Sequence, residues 1–103
     1  MLKLQPEPTF ELEVDVPVAG EEKPTKIKLT ALYRNTEELE KLIGENEKVT
    51  VDEFVMATIT GWKEVDAVFS ETTLRELLRN YHGIGIVIHR AYFNEVYKAA
   101  RGN

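Results

Sequence analysis

From Thr9 onward the chain alternates polar and apolar residues. Phe10, Leu12, Val14 and Val16 fall on one side, and Thr9, Glu11, Glu13 and Asp15 on the other. A period of two is the mark of a half-buried strand. Pro17 ends it, and Val18 to Pro24, which contains Gly20, reads as a turn. A second alternating run follows, with Ile27, Leu29, Ala31 and Tyr33 against Lys26, Lys28, Thr30 and Arg34. The two runs predict a hairpin of Thr9–Val16 with Thr25–Arg34 and suggest its register. With Asp15 opposite Lys26, Glu13 meets Lys28 on the wet face and Val14 meets Ile27 on the dry face. A slip of one residue would turn every side chain to the wrong face. An isolated hairpin is marginal in water, so its dry face requires helices.

After position 34 the period changes. Asn35 or Thr36 can cap a short helix through Gly44, with Leu39, Leu42 and Ile43 as its stripe. Thr50-Val51-Asp52-Glu53 has the form of a capping box, and Val51, Phe54, Val55, Thr58 and Trp62 then share one helical face. Gly61 interrupts or ends that helix. Lys63 to Phe69 is a connection, with Val65, Val68 and Phe69 placed to tuck inward. Ser70 caps the cleanest amphipathic helix of the chain, where Leu74, Leu77, Leu78 and Tyr81 stand at i, i+3, i+4 and i+7. Gly83 suits the exit from it. A last helix is predicted from about Gly85 to Ala100. The expected architecture is α+β: an N-terminal antiparallel β-hairpin (residues 9–34) packed on a bundle of about four α-helices (residues 35–103), in one domain of residues 1–103. Trp62, Leu74, Leu77, Leu78 and Tyr81 are its expected structural core. Trp62 has a second reading, as an exposed anchor for a partner.

The last helix has more apolar residues than one core contact needs. Ile84, Val87, Ile88, Ala91, Tyr92 and Val96 make one face, and Ile86, Phe93, Tyr97 and Ala100 a flanking one. A single stripe suffices for a surface helix. The excess means deep burial or a surface kept for a partner. If Ile84, Ile88, Tyr92 and Val96 pack inward, Ile86, Phe93 and Tyr97 remain beside Arg90 and Lys98. Aromatic anchors next to a basic rim suit an interface, so Ile86, Arg90, Phe93 and Tyr97 are the candidate partner-binding residues.

Composition narrows the chemistry. With 103 residues, 43% hydrophobic and 30% charged, the chain can fill one core without a metal. It has no cysteine, which excludes disulfides and thiolate chemistry and fits a reducing compartment. Eighteen acidic residues against 13 basic give a net charge of −5, which disfavours nucleic acid as a partner. The acids concentrate between Glu37 and Glu53, whereas Arg75, Arg79, Arg90, Lys98 and Arg101 make the C-terminal part more basic. Met1 to Pro6 has no apolar run of signal-peptide length, and no stretch approaches a membrane span. His82 and His89 lack metal-ligand spacing, and Gly83-x-Gly85 lacks the rest of a phosphate loop. Asp52-Glu53, Glu64/Asp66 and Ser70 are explained by capping and loop positions. No catalytic, cofactor or metal site is predicted, and the protein is expected not to be an enzyme.

Leu4-Gln5-Pro6-Glu7-Pro8-Thr9-Phe10, the hairpin, Gly61-Trp62 with Glu64 and Asp66, then Phe69, Leu74-x-x-Leu77-Leu78-x-x-Tyr81 and a C-terminal helix with Tyr92 follow in a distinctive order. Nearly the whole chain thereby resembles the small tail assembly chaperones of long-tailed bacteriophages and prophages. One departure is His82, where the resemblance leads one to expect proline in many relatives. The resemblance implies a non-enzymatic protein of the bacterial host cytoplasm. It would bind the tape-measure protein, keep it soluble and help recruit tail-tube subunits. Another phage adaptor, such as a tail-completion protein, or an antitoxin-like interaction domain is the alternative.

Overall fold

The N-terminal alternation becomes a hairpin in the expected register. In the computed structural model, which describes residues 1–44 and 49–98, strand β1 (Thr9–Val16) pairs antiparallel with β2 (Thr25–Leu32). Asp15 stands opposite Lys26, Glu13 opposite Lys28 and Val14 opposite Ile27. Leu12, Val14, Val16, Ile27, Leu29 and Ala31 are buried. On the wet face Lys26 reaches Glu13 at 3.9 Å and Lys63 reaches Glu11 at 3.9 Å. The second strand ends at Leu32 rather than Arg34. Beyond it the Arg34 amide donates to the Tyr92 hydroxyl (3.1 Å), which itself donates to the Leu32 carbonyl (2.9 Å). A side chain thus satisfies backbone groups that a longer ladder would otherwise have to pair.

The largest difference from the sequence reading lies at Gly61-Trp62. Helix α2 covers Val51–Thr58 and passes directly into a third strand, β3 (Ile59–Lys63). This strand pairs antiparallel with β2, in the order β1-β2-β3. Trp62 is therefore a strand residue and not the continuation of a helical face. The β-branched run Thr58-Ile59-Thr60 favours extended backbone, and Ile59 takes it up (φ −87°, ψ 129°) while its amide still bonds to Val55. Ala31 opposes Ile59 but Thr30 opposes Gly61, so Thr60 is the inserted residue of a bulge. The insertion returns Trp62 to the inner face, opposite Leu29. Ile59 and Trp62 thus share a face at a separation of three residues, the spacing that a helix also produces.

The expected helix over 36–44 has two parts, α1 (Thr36–Leu39) and a π-helical turn (Glu40–Gly44). The side chain of Ile43 lies outside the described residues. Asn35 caps α1 reciprocally with Glu38, at 2.9 and 3.0 Å. Thr50 accepts from the Glu53 amide (3.1 Å), one half of the expected box. Helix α3 (Glu71–Asn80) starts from a reciprocal Ser70–Thr73 box. Helix α4 (Ile84–Val96) opens at Gly83, whose φ of +81° strains any residue with a Cβ. It lies against β1 and α2. A Cβ on Gly85 would stand 2.2 Å from an Asp52 carboxylate oxygen, so a larger residue there would have to turn the Asp52 side chain aside. Leu39, Phe54, Val55, Ile59, Leu74, Ile84, Ile88 and Tyr92 complete the core.

Candidate interaction surfaces

Three parts of the molecule decide what surface α4 can offer. The first is its buried side. Ile84, Ile88 and Tyr92 recur every fourth residue and are buried against the sheet and α2, with Tyr92 0% exposed. Around Tyr92 stand Phe10 (centroids 5.6 Å apart) and Phe54 (5.3 Å). Burial pushes the Tyr92 phenol above its ordinary pKa, opposed by its bond to the Arg34 amide. Arg34 also reaches the C-terminal end of α2, where its guanidinium donates to the Thr58 hydroxyl and the Ala57 carbonyl. A cation there complements the helix dipole.

The second part is the flank. Phe93 is half-buried, in tilted contact with Phe54 at 5.4 Å and with His89 at 4.7 Å. His89 is itself half-buried, and desolvation lowers its pKa.

The third is the outer stripe. Ile86 is 53% exposed and Tyr97 41%, with Arg90 exposed between them. Tyr97 follows the end of α4 and stacks nearly parallel on Phe93 (5.9 Å, 10°). Ile86, Arg90, Phe93 and Tyr97 are spaced by four, three and four residues, and so form one stripe along the helix. The helix begins one residue before its expected start. It also ends earlier than expected: α4 stops at Val96 and Tyr97 and Lys98 form a turn, while residues 99–101 lie outside the described residues.

The residues expected to form the core separate. Leu74 is buried, whereas Trp62, Leu77 and Leu78 are half-buried against the core cluster. Tyr81 is 37% exposed at the exit of α3. The Trp62 indole N–H donates to the Ala67 carbonyl (2.8 Å), and its ring meets Phe69 edge-on at 5.1 Å. Val65 and Phe69 are half-buried, but Val68 is 88% exposed and does not tuck inward. Sequence periodicity missed that Trp62 belongs to a sheet and walls a groove together with the hairpin and α3. The β-branched Thr58-Ile59-Thr60 run was the available signal.

His82 is exposed in the turn before α4, while His89 sits between Phe54 and Phe93. Among the described residues no group of three His, Cys, Asp or Glu side chains is arranged to hold a metal ion. No helix among them is long and apolar enough to cross a membrane.

A family model described as phage tail assembly chaperone matches residues 1–103. No curated protein and no solved structure matches the chain.

Proposed function

The chain belongs to the phage tail assembly chaperone family, and we propose that within it this protein binds the tape-measure protein and helps recruit tail-tube subunits around it. The role is non-enzymatic and is exercised in the cytoplasm of the bacterial host. Membership implies tail-protein partners in general. The narrower reading is supported by one observation: the outer stripe of α4. Ile86 and Tyr97 keep about half their surface in water, on a helix whose opposite side already fills the core. A long helical partner exposes apolar stripes until the tube encloses it. A second apolar stripe with an arginine beside it is a suitable cover. Arg90 adds a planar donor group and Tyr97 a rigid amphipathic ring, both favoured at interface hot spots.

The test is a binding isotherm and a thermal melt on the same variants, with a soluble tape-measure fragment as the ligand. Ile86→Ala and Tyr97→Ala are expected to weaken binding by about fivefold or more, a loss of ~1 kcal/mol each, with melting temperatures nearly unchanged. Unaltered affinity in both variants would move the contact elsewhere, first to the exposed acids Glu37, Glu38 and Glu40 of the segment after β2.

A further inference from the structure

The sheet and α3 leave an open groove of about 390 Å³ beside Trp62. Val16 and Ile27 from the hairpin, Trp62 from β3, and Leu77 and Tyr81 from α3 supply apolar walls. Three carboxylates also line it: Glu64, Asp66 and Glu76. No lysine or arginine lines it, and none of the three carboxylates forms an ion pair among the described residues. Elsewhere the acids are partly compensated, as Glu71 is by Arg75 at 3.1 Å. The contrast is sharpest at the groove between α2 and α3, of about 560 Å³. There Arg75 and Arg79 stand among Asp52, Glu53 and Glu71. That surface offsets most of its acidic charge, whereas the Trp62 groove offsets none.

We propose that the Trp62 groove docks a peptide segment of a partner protein with a large apolar anchor flanked by lysine or arginine. The anchor would enter between Trp62 and Leu77, and its cationic neighbours would meet Glu64, Asp66 and Glu76. Unpaired like charges around an apolar cleft repel an acidic ligand and attract a basic one, so they set selectivity as well as attraction. The wall is already in place. The Trp62 indole is held by the Ala67 carbonyl and by Phe69, so binding need not order it. The groove is separate from the outer stripe of α4, and its occupation does not depend on the tape-measure protein being the ligand of that stripe.

Trp62 is the chain's only tryptophan, so its emission reports on the groove directly. The full chain would be titrated with a blocked twelve-residue peptide of leucine and lysine, and with its counterpart carrying glutamate for each lysine. The basic peptide is expected to shift the emission saturably, and added salt to weaken it. The acidic peptide is expected to leave it unchanged. The combined Glu64→Gln, Asp66→Asn and Glu76→Gln variant changes exposed side chains and should melt as the parent does. It is expected to lose about tenfold in affinity for the basic peptide. Tyr97→Ala should bind that peptide as the parent does. Four results would each overturn the proposal: no saturable shift, equal response to both peptides, undiminished affinity in the triple variant, or loss of affinity in Tyr97→Ala. A concentration-dependent emission shift without peptide, matched by dimers in sedimentation, would assign the groove to a second copy of the chain instead.

Discussion

The Tyr92 hydroxyl closes two backbone groups at once, the Arg34 amide and the Leu32 carbonyl, at the place where β2 stops. Tyr92→Phe keeps the ring and its contacts with Phe10 and Phe54 but strands both backbone groups. It should destabilise the protein by about 1–3 kcal/mol, the cost of unsatisfied buried polar groups. Urea unfolding of the pair of proteins measures this, and a difference under ~0.5 kcal/mol would mean that water replaces the hydroxyl. Burial lowers the His89 pKa from the ordinary 6.5, so the unfolded chain takes up this proton first as pH falls. The stability owed to the neutral ring is therefore complete above 6.5 and is lost as pH falls through the folded-state value. His89→Gln should remove that component. Melts of both proteins between about pH 7.5 and 5 should then diverge, with the parent losing more stability; parallel curves would show that the ring is fully solvated.

At the scale of elements, α4 divides its apolar residues between two duties. Phe93 packs at a tilt against Phe54 of α2 while Tyr97 stacks on Phe93 and faces water. The two aromatic residues should therefore respond differently to truncation. Phe93→Ala is expected to cost about 2 kcal/mol, less than the ~3–5 kcal/mol of a fully buried phenylalanine. Tyr97→Ala should stay within ~0.5 kcal/mol of the parent. Chemical denaturation separates the two outcomes, and equal losses would place both rings in the core. The separation also bears on the partner stripe, because a binding defect in Phe93→Ala would mix with unfolding. Ile86 and Tyr97 are the cleaner probes. The bulged strand β3 is the other element with consequences. It brings Trp62 to the inner face beside the hairpin, and thereby creates a groove that four helices around a two-stranded hairpin would not have.

Across the whole molecule, β2 is the only strand among the described residues paired on both sides. Its buried members Leu29 and Ala31 are 0% exposed. Its amides should be the slowest to exchange with solvent, since they open only when most of the structure does. Residues 1–8 lie outside every helix and strand and are exposed throughout, so their amides should exchange fastest. Hydrogen exchange by residue checks the order. Slower exchange in α3 than in β2 would show that the helices hold together without the sheet.

Local pattern alone determined much of this. The alternation from Thr9 to Tyr33 carries the hairpin and excludes any one-residue slip, which would turn every apolar residue to the wet face, and the acid–lysine pairing of Asp15 with Lys26 and Glu13 with Lys28 suggests the register that forms. The caps at Asn35, Thr50 and Ser70 are equally local, since each bonds an amide three residues on. The order of these signals along the chain also carried the family resemblance, which the whole-chain match bears out. Tertiary structure decided the rest. Ile59 and Trp62 have a spacing that serves a helix or a bulged strand, and only the free edge of β2, contributed from thirty residues away, selects the strand. The division of α4 into buried, half-buried and exposed rows likewise depends on α2. Periodicity says which residues share a face, but not how much of that face the neighbouring element covers. The acidic groove beside Trp62 joins the hairpin, β3 and α3, so no single stretch of sequence contains it.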